Sequence, residues 1–249
     1  MKNLLSPRQA EVLAQLAQGR ALLAFDFDGT LAPIVPARHT AALRATTRRL
    51  FERVCLLFPT AVISGRGRGD VRARLGPAKV KYVIGNHGLE RGGESARGRA
   101  LLDPARVGLR ALVERMAGLE LEDKGYSLAI HYRSAARKTL ARQAIAHVLG
   151  GLAKPVRSIP GKCVVNVLPK NGAHKGDALL ELRAKVRAEV ALYVGDDLND
   201  EDVFRLGRPG ELVTVRVGRD SRSAASFFLE NQRAVDALLR KLIELRSSG

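Results

Sequence analysis

The run Ala21-Leu22-Leu23-Ala24-Phe25 is apolar at every position and is followed at once by Asp26-Phe27-Asp28-Gly29-Thr30. Five consecutive apolar residues without alternation describe a strand buried on both faces, which is the environment of a parallel sheet covered by helices. A glycine just beyond lets the chain turn sharply, so both carboxylates face the crevice at the carboxyl edge of that sheet. The pattern recurs. Thr60–Ile63 ends on Ser64-Gly65-Arg66, Lys81–Ile84 on Gly85-Asn86, and Ala191–Val194 on Gly195-Asp196-Asp197, with a further strand over Leu212–Val217. Between the first two strands Leu43, Thr47, Leu50, Phe51 and Val54 recur at helical spacing, and Val235, Leu238, Leu239, Leu242 and Ile243 mark a closing helix. Strands that alternate with helices predict an α/β fold, a doubly wound, Rossmann-like parallel-sheet core.

The interval from Ser64 to Lys175 is too long for one crossover. Gly92-Gly93 and Pro169-Lys170-Asn171-Gly172 read as hinges, so residues 1–91 and 172–249 are expected to form the core and 92–171 an inserted α+β cap. Within the cap, helices are expected over Pro104–Met116 and Ala135–Leu149, and strands over Ser127–Arg133 and Cys163–Leu168. Period-two alternation puts Leu128, Ile130 and Tyr132 on one face and Ser127, Ala129, His131 and Arg133 on the other. Cys163, Val165 and Val167 likewise oppose Lys162, Val164 and Asn166.

Two carboxylates one residue apart repel, so Asp26 and Asp28 imply a shared proton or a bound cation. Three of the four polar residues in Asp196-Asp197-Leu198-Asn199-Asp200 are also acidic, which favours the cation, and Mg²⁺ is the hard, oxygen-seeking ion that pairs with phosphate. The Ser64 hydroxyl and nearby amides at a strand end can donate to phosphate oxygens, and Lys175, just before a helical pattern over Asp177–Arg187, adds a point charge. Together these groups point to phosphoryl chemistry.

Composition sets bounds. The net charge of +17 invites a polyanion partner. The arginines are scattered, however, and no base-stacking motif accompanies them, so an Arg-rich bias that steers an anionic substrate inward accounts for the charge without nucleic acid. Two distant cysteines, Cys55 and Cys163, suggest neither a disulfide framework nor a zinc site. Ser6-Pro7 reads as a helix cap followed by proline at the first helical position, and no long apolar span occurs. A soluble, cytoplasmic monomer is the expectation.

Asp-x-Asp-Gly-Thr, Ser64, Lys175 and Gly-Asp-Asp-x-x-Asp, in that order and each at a strand end or helix start, resemble the four motifs of the haloacid dehalogenase superfamily. The resemblance implies Asp26 as the nucleophile and Asp28 as the acid and base. Ser64 and Lys175 would hold the phosphoryl group, with Gly65 and Arg66 counted among the substrate-binding residues. Mg²⁺ would lie on Asp26, Asp196 and the backbone carbonyl of Asp28, with Asp197 and Asp200 as further ligands or just behind them. Gly85-Asn86-His87-Gly88-Leu89-Glu90, Glu122-Asp123-Lys124-Gly125-Tyr126-Ser127, His131-Tyr132-Arg133 and Gly161-Lys162 narrow the likeness, over nearly the whole chain, to the trehalose-6-phosphate phosphatase family. By that likeness Glu122 and Lys124 bind sugar hydroxyls, Asn86, His87 and Glu90 lie near the phosphate-bearing glucose, and His131, Arg133 and Asn166 complete the substrate set. His131 reads equally as a packing histidine.

One departure stands out. Family members usually carry Glu-x-Arg-Pro where this chain has Asn166-Val167-Leu168-Pro169, so two charges are missing from the sugar-recognition strand. The implied function is hydrolysis of trehalose 6-phosphate through an aspartyl-phosphate. The alternatives are a related phosphatase acting on another sugar phosphate, such as a mannosyl-phosphoglycerate type, or a non-catalytic basic protein that binds anions or nucleic acid.

Overall fold

Parallel strands with apolar residues on both faces organise the larger of two compact units, Met1–Arg91 with Ala173–Gly249. The structure is a computed structural model that describes residues 1–91, 100–152, 156–161, 163–170, 172 and 174–248. The expected hinge at Gly92-Gly93, together with Lys162 and Asn171, lies outside the described residues.

The strands of this unit are β1 (Lys2–Asn3), β2 (Ala21–Phe25), β3 (Thr60–Ile63), β4 (Tyr82–Ile84), β9 (Val190–Gly195), β10 (Leu212–Val217) and β11 (Phe227–Leu229). They pair in the order β1-β11-β10-β9-β2-β3-β4, every pair parallel. From β2 the chain winds outward through β3 and β4, then returns to the other side of β2 and winds away through β9, β10 and β11. The direction reverses between β2 and β9, and at such a switch point the loops leaving adjacent strands splay apart and open a crevice.

Alternate residues serve opposite faces. Leu23 and Phe25 of β2, Val62 of β3 and Leu192 and Val194 of β9 meet Leu13 and Leu16 of helix α1 (Ala10–Gln18), Phe51 and Val54 of α2 (Ala45–Leu57), Val71 and Leu75 of α3 (Arg68–Leu75) and Leu238, Leu239 and Leu242 of α8 (Ala234–Ser247). Leu22, Ala24, Ile63, Ala191 and Tyr193 meet Ala178, Leu179 and Leu182 of α6 (Lys175–Lys185) and Val203 and Phe204 of α7 (Glu201–Phe204). Burial on both faces explains why these strands read as nearly continuous apolar runs.

Two helix starts differ from expectation. The Ser6 side chain makes no capping hydrogen bond; a 3₁₀ turn over Pro7–Gln9 comes first, and α1 begins at Ala10. Helix α6 starts two residues before the expected Asp177, because His174 Nδ1 accepts from the backbone N–H of Gly176 (3.1 Å) and Asp177 (3.3 Å) while Asp177 Oδ2 accepts from His174 N–H (2.9 Å). Lys175 therefore stands inside the first helical turn, where the dipole disfavours a cation and only strong acidic partners would hold one.

The smaller unit, Gly92–Gly172, holds an antiparallel sheet of β5 (Glu120–Asp123), β6 (Leu128–His131), β7 (Val156–Gly161) and β8 (Val164–Pro169) in the order β5-β6-β8-β7. Leu128, Ile130, Tyr132, Val165 and Val167 pack on helices α4 (Asp103–Arg115) and α5 (Lys138–Gly150) through Leu109, Leu112, Ala141 and Ile145. The opposite face carries the row Glu122, Ala129 and Asn166 and the neighbouring His131.

Several arginines close helix ends by binding backbone carbonyls. Arg246 Nη1 donates to Ala17 O (2.8 Å) in the last turn of α1 and Arg48 Nη1 to Leu75 O (3.1 Å) at the end of α3, while Arg183 Nη2 binds Glu189 O (2.9 Å) in the link from α6 to β9. Carbonyls left unpaired at helix C-termini favour such cations.

Phe51 is fully buried and meets Phe25 edge-on with ring centroids 5.5 Å apart. Phe51→Ala is expected to destabilise the protein by about 3–5 kcal/mol in urea unfolding, because the tightly packed sheet limits collapse into the void.

Candidate active site

Asp26 extends β2 by one residue, its N–H donating to Val194 O of β9 at 2.8 Å, so its side chain stands at the edge of the switch-point crevice. Across that crevice β9 ends at Gly195, and Asp196, Asp197 and Asp200 follow. Thr30 Oγ1 lies 3.5 Å from Asp196 Oδ1. Gly29, at φ +78°, passes so close to Asp196 that a Cβ there would stand 2.0 Å from its Oδ2; no other residue fits this turn.

Lys175 joins the two loops from below. Its Nζ lies 3.1 Å from Asp26 Oδ1 and donates to Asp200 Oδ1 at 2.8 Å, with the side chain 1% exposed. Asp200 is saturated: Oδ1 also accepts from Tyr193 O–H (2.7 Å), and Oδ2 accepts from the N–H groups of Asp196 (2.9 Å) and Asp197 (3.0 Å). Asp197 turns to its own loop, accepting from Leu198 N–H (2.8 Å) and Asn199 Nδ2 (3.3 Å).

Asp26, Asp196 and Asp200 each offer a carboxylate oxygen, and these lie within 4.8 Å of one another. Against them stands the single ammonium of Lys175, an excess of two negative charges when all three acids are ionised. Burial, Asp200 and Asp28 outweigh the pull of Lys175 and raise Asp26 to about 7; burial, then Asp26 and Asp200, hold Asp196 well above the carboxylate range. Burial alone would lower Lys175, but Asp200 and Asp26 hold it above its usual value, so it stays charged. Asp26 Oδ1 is enclosed and has no aligned hydrogen bond. Hard oxygen donors, excess negative charge and an under-satisfied buried oxygen fit a divalent cation of the magnesium type. Asp200, with its lone pairs engaged, orients the pair formed by Asp26 and Asp196.

Neighbouring loops complete the core side. The Ser64 hydroxyl oxygen accepts from Arg66 N–H (3.2 Å), which leaves its hydrogen available to donate. Asp28 is held by a two-pronged contact, Arg66 Nε to Oδ2 (2.6 Å) and Nη2 to Oδ1 (2.7 Å). Arg66 Nη1 donates to Asp70 Oδ2 (2.8 Å), and Asp70 Oδ1 accepts from Arg74 Nε (2.8 Å). Partial burial works against the Asp70 carboxylate, yet hydrogen bonds from Arg74 and Arg66 hold it below its ordinary value.

The loop after β4 is strained. Asn86 and His87 take φ +50° and +58° although neither is glycine, a cost of about 1–3 kcal/mol each. Asn86 N–H to Arg66 O (2.8 Å) and His87 N–H to Ser64 O (2.9 Å) hold them there. Gly65 makes room for the His87 ring, which a Cβ would meet at 2.4 Å. Glu90 Oε2 accepts from Asn86 Nδ2 (2.8 Å) and from Arg68 N–H (2.7 Å) at the start of α3, so this carboxylate buttresses the loop.

The remaining sequence-derived residues lie in the smaller unit. Glu122 Oε2 is 3.0 Å from His131 Nε2 and 3.8 Å from Lys124 Nζ, whose side chain is 5% exposed. Asn166 is half-buried and shares that polar face, and Arg133 is exposed. Tyr193 escaped the sequence reading, although a hydroxyl in an otherwise apolar buried strand always needs a partner.

A sequence profile described as Trehalose-phosphatase matches residues 24–233. The chain is 30% identical to the probable trehalose-phosphate phosphatase 9 of Oryza sativa subsp. japonica, covering 94% of this chain and 72% of that protein. It is 31% identical to the trehalose-phosphate phosphatase of Mycobacterium ulcerans (strain Agy99), covering 87% and 60%. The structure of the C. albicans trehalose-6-phosphate phosphatase C-terminal domain superposes with TM-score 0.78 at 23% identity over 94% of this chain and 96% of that one, a likeness of fold. Aspergillus fumigatus trehalose-6-phosphate phosphatase gives TM-score 0.67 at 25% identity over 98% and 99%.

The raised Asp26 has a pH signature. From its ordinary 3.8 up to about 7 the folded, cation-free chain keeps a proton that the unfolded chain has lost, so stability from this group declines as pH rises through that window. A divalent cation takes the proton's place. Chelated protein is expected to lose melting temperature between about pH 5 and about pH 8, with added magnesium restoring several degrees at the higher pH and little at the lower. Equal restoration at both would show that cation and proton do not compete at Asp26.

Proposed function

The chain belongs to the trehalose-phosphatase family, and on that premise we propose that it is a magnesium-dependent phosphoric monoester hydrolase that releases trehalose and phosphate from trehalose 6-phosphate. One observation carries the reading: Lys175 is buried between Asp26 and Asp200, with Asp196 facing them across the switch point.

Asp26 is the nucleophile. Its oxygen forms a bond to phosphorus as the bond from phosphorus to the sugar oxygen breaks, and Asp28 gives its proton to that departing oxygen. A water then attacks the aspartyl-phosphate, Asp28 takes up the water's proton, and the bond between phosphorus and Asp26 breaks, which returns both acids to their starting states. Lys175 Nζ and the Ser64 hydroxyl donate to the transferring phosphoryl oxygens, matching charge that spreads over them. Asp26 and Asp196, with the backbone carbonyl of Asp28, would hold magnesium, whose role when bound is to neutralise phosphoryl and carboxylate charge together. Asp200 and Tyr193 keep Lys175 in line.

Sugar recognition is assigned to the polar face of the antiparallel sheet. Glu122 accepts and Lys124 donates, and together they match hydroxyls that do both; a buried charged group left without its hydroxyl discriminates strongly against the wrong sugar. Asn86 and His87, held in place by Glu90, would lie near the phosphate-bearing ring. Cys55 and Cys163 are both free thiols, which suits a reducing cytoplasm. No helix among the described residues is long and apolar enough to cross a membrane. Asn166 and Leu168, which stand where the family resemblance implies a Glu and an Arg, favour a second reading in which the substrate is another sugar phosphate.

Phosphate release from a panel of sugar phosphates, with and without a chelator, separates the two readings: the best substrate names the sugar, and activity that survives chelation removes magnesium. Asp26→Asn is expected to lower turnover at least about a thousandfold on every ester, since an amide cannot attack phosphorus. Lys124→Ala is expected to lower kcat/KM for trehalose 6-phosphate by about tenfold or more and to leave p-nitrophenyl phosphate within about twofold. Equal losses on both would take Lys124 out of sugar recognition.

A further inference from the structure

Building on the phosphatase reading, we infer that Asp70 is a positioning residue for this reaction: it fixes the buried Arg66 guanidinium, and Arg66 in turn fixes the carboxyl group of Asp28. No residue of α3 was expected to take part in the chemistry.

The geometry is a chain of alternating charge. Arg66 presents Nε and Nη2 to the two oxygens of Asp28 at 2.6 and 2.7 Å and turns Nη1 to Asp70 Oδ2 at 2.8 Å. Asp70 Oδ1 takes Arg74 Nε at 2.8 Å, and Arg74 Nη1 ends on the carbonyls of His39 (3.0 Å) and Ala41 (2.6 Å) in the segment that follows the Asp28 turn. The Arg66 side chain is 3% exposed and its guanidinium carbon lies 5.6 Å from the centre of the buried Phe27 ring. Asp28 itself is 37% exposed. A short carboxyl with that much freedom would sample several rotamers, whereas a planar fork fixes the plane of the group as well as its distance.

Asp70 matters because the fork has to be aimed. Asp28 follows β2 and Arg66 follows β3, adjacent parallel strands, and a guanidinium between their ends can rotate about its long stem unless its far side is fixed. Asp70, in the first turn of α3, supplies that fixed point, and Arg74 one turn later fixes Asp70. The Asp70 carboxylate is 42% exposed, and Arg66 keeps Asp28 when Asp70 is removed, so the pair with Asp70 adds modestly to stability. Its value here is directional, since a displacement of about 1 Å at a reacting group can cost about a hundredfold in rate.

The test uses the leaving group. The two-pronged contact is that of a carboxylate; in the protonated form one prong of Arg66 still holds the carbonyl oxygen while the O–H is aimed at the departing sugar oxygen, and because p-nitrophenolate leaves without a proton, misaiming Asp28 should slow the first step for the sugar ester selectively. The constant kcat/KM reports that step and not the later hydrolysis of the aspartyl-phosphate. For the full-length protein with magnesium, Asp70→Asn is expected to lower kcat/KM about tenfold on the sugar phosphate it hydrolyses best and at most about twofold on p-nitrophenyl phosphate. The melting temperature should hold within a few degrees, and Asp70→Glu should recover most of the loss. Arg66→Lys, a point charge in place of a fork, should fall about a hundredfold on the sugar ester. Equal losses on both esters for Asp70→Asn, or no loss, would overturn the inference and leave the phosphatase reading standing. A wild-type protein that releases phosphate from neither ester overturns both.

Discussion

A single ammonium group buried at a sheet edge holds this site together. Lys175 sits in the first turn of α6, where the helix dipole repels it, and lies 1% exposed, where burial penalises its charge. It stays charged because Asp26 and Asp200 lie within 3.1 and 2.8 Å. Each acid depends on the lysine in return. Asp200 in turn sets the Asp196 loop through two backbone N–H groups. Two ion pairs on one ammonium thus tie the end of β2 to the start of α6 and the end of β9, which follow it much later in the chain. The excess negative charge that remains is what a divalent cation would offset.

The legibility of the fold followed burial. Strands β2, β3 and β9 are covered on both faces, so their sequences are nearly continuous apolar runs with carboxylates or serine at the exit. Of the edge strands only β4, Tyr82-Val83-Ile84, carries such a signature. Lys2–Asn3 has two polar residues, and β5 is Glu120-Leu121-Glu122-Asp123, which reads as a loop. Strand β7 contains Pro160, a residue tolerated at an edge and misleading anywhere else. Helix α3 carries one glycine and four charges in eight residues, and its apolar side shrinks to Val71 and Leu75.

The site divides the same way. Acidic residues gathered after apolar strands were visible because such crowding is hard to sustain without a counter-charge. The partners of those acids were not, since they depend on which strands lie side by side. The fork from Arg66 to Asp28 joins residues 38 apart and exists because β2 and β3 are neighbours. Tyr193 passed as one more apolar strand residue, although its hydroxyl completes the shell of Asp200. Glu90 was placed with Asn86 and His87 near the phosphate-bearing glucose, but its hold on Asn86 and on the start of α3 could not be read from the sequence. Motif reading finds groups that carry chemistry and passes over the groups that aim them.

The basic composition follows from that distribution. Arginine combines a permanent charge with a planar set of donors, so it can close a helix end, brace a carboxylate or cover an aromatic ring. Arg246 does two of these, donating to Ala17 O while lying 5.0 Å from the Phe58 ring. Arg66 likewise does two, on Asp28 and over Phe27. Each such arginine adds a positive charge without needing an anionic partner outside the chain, because its acceptors are backbone carbonyls or acids already counted within it. A net charge of +17 is therefore compatible with a protein whose only required anion is a small phosphate ester. Such a field would draw that anion toward the protein, and the local excess of aspartates would retain it only where a cation accompanies it.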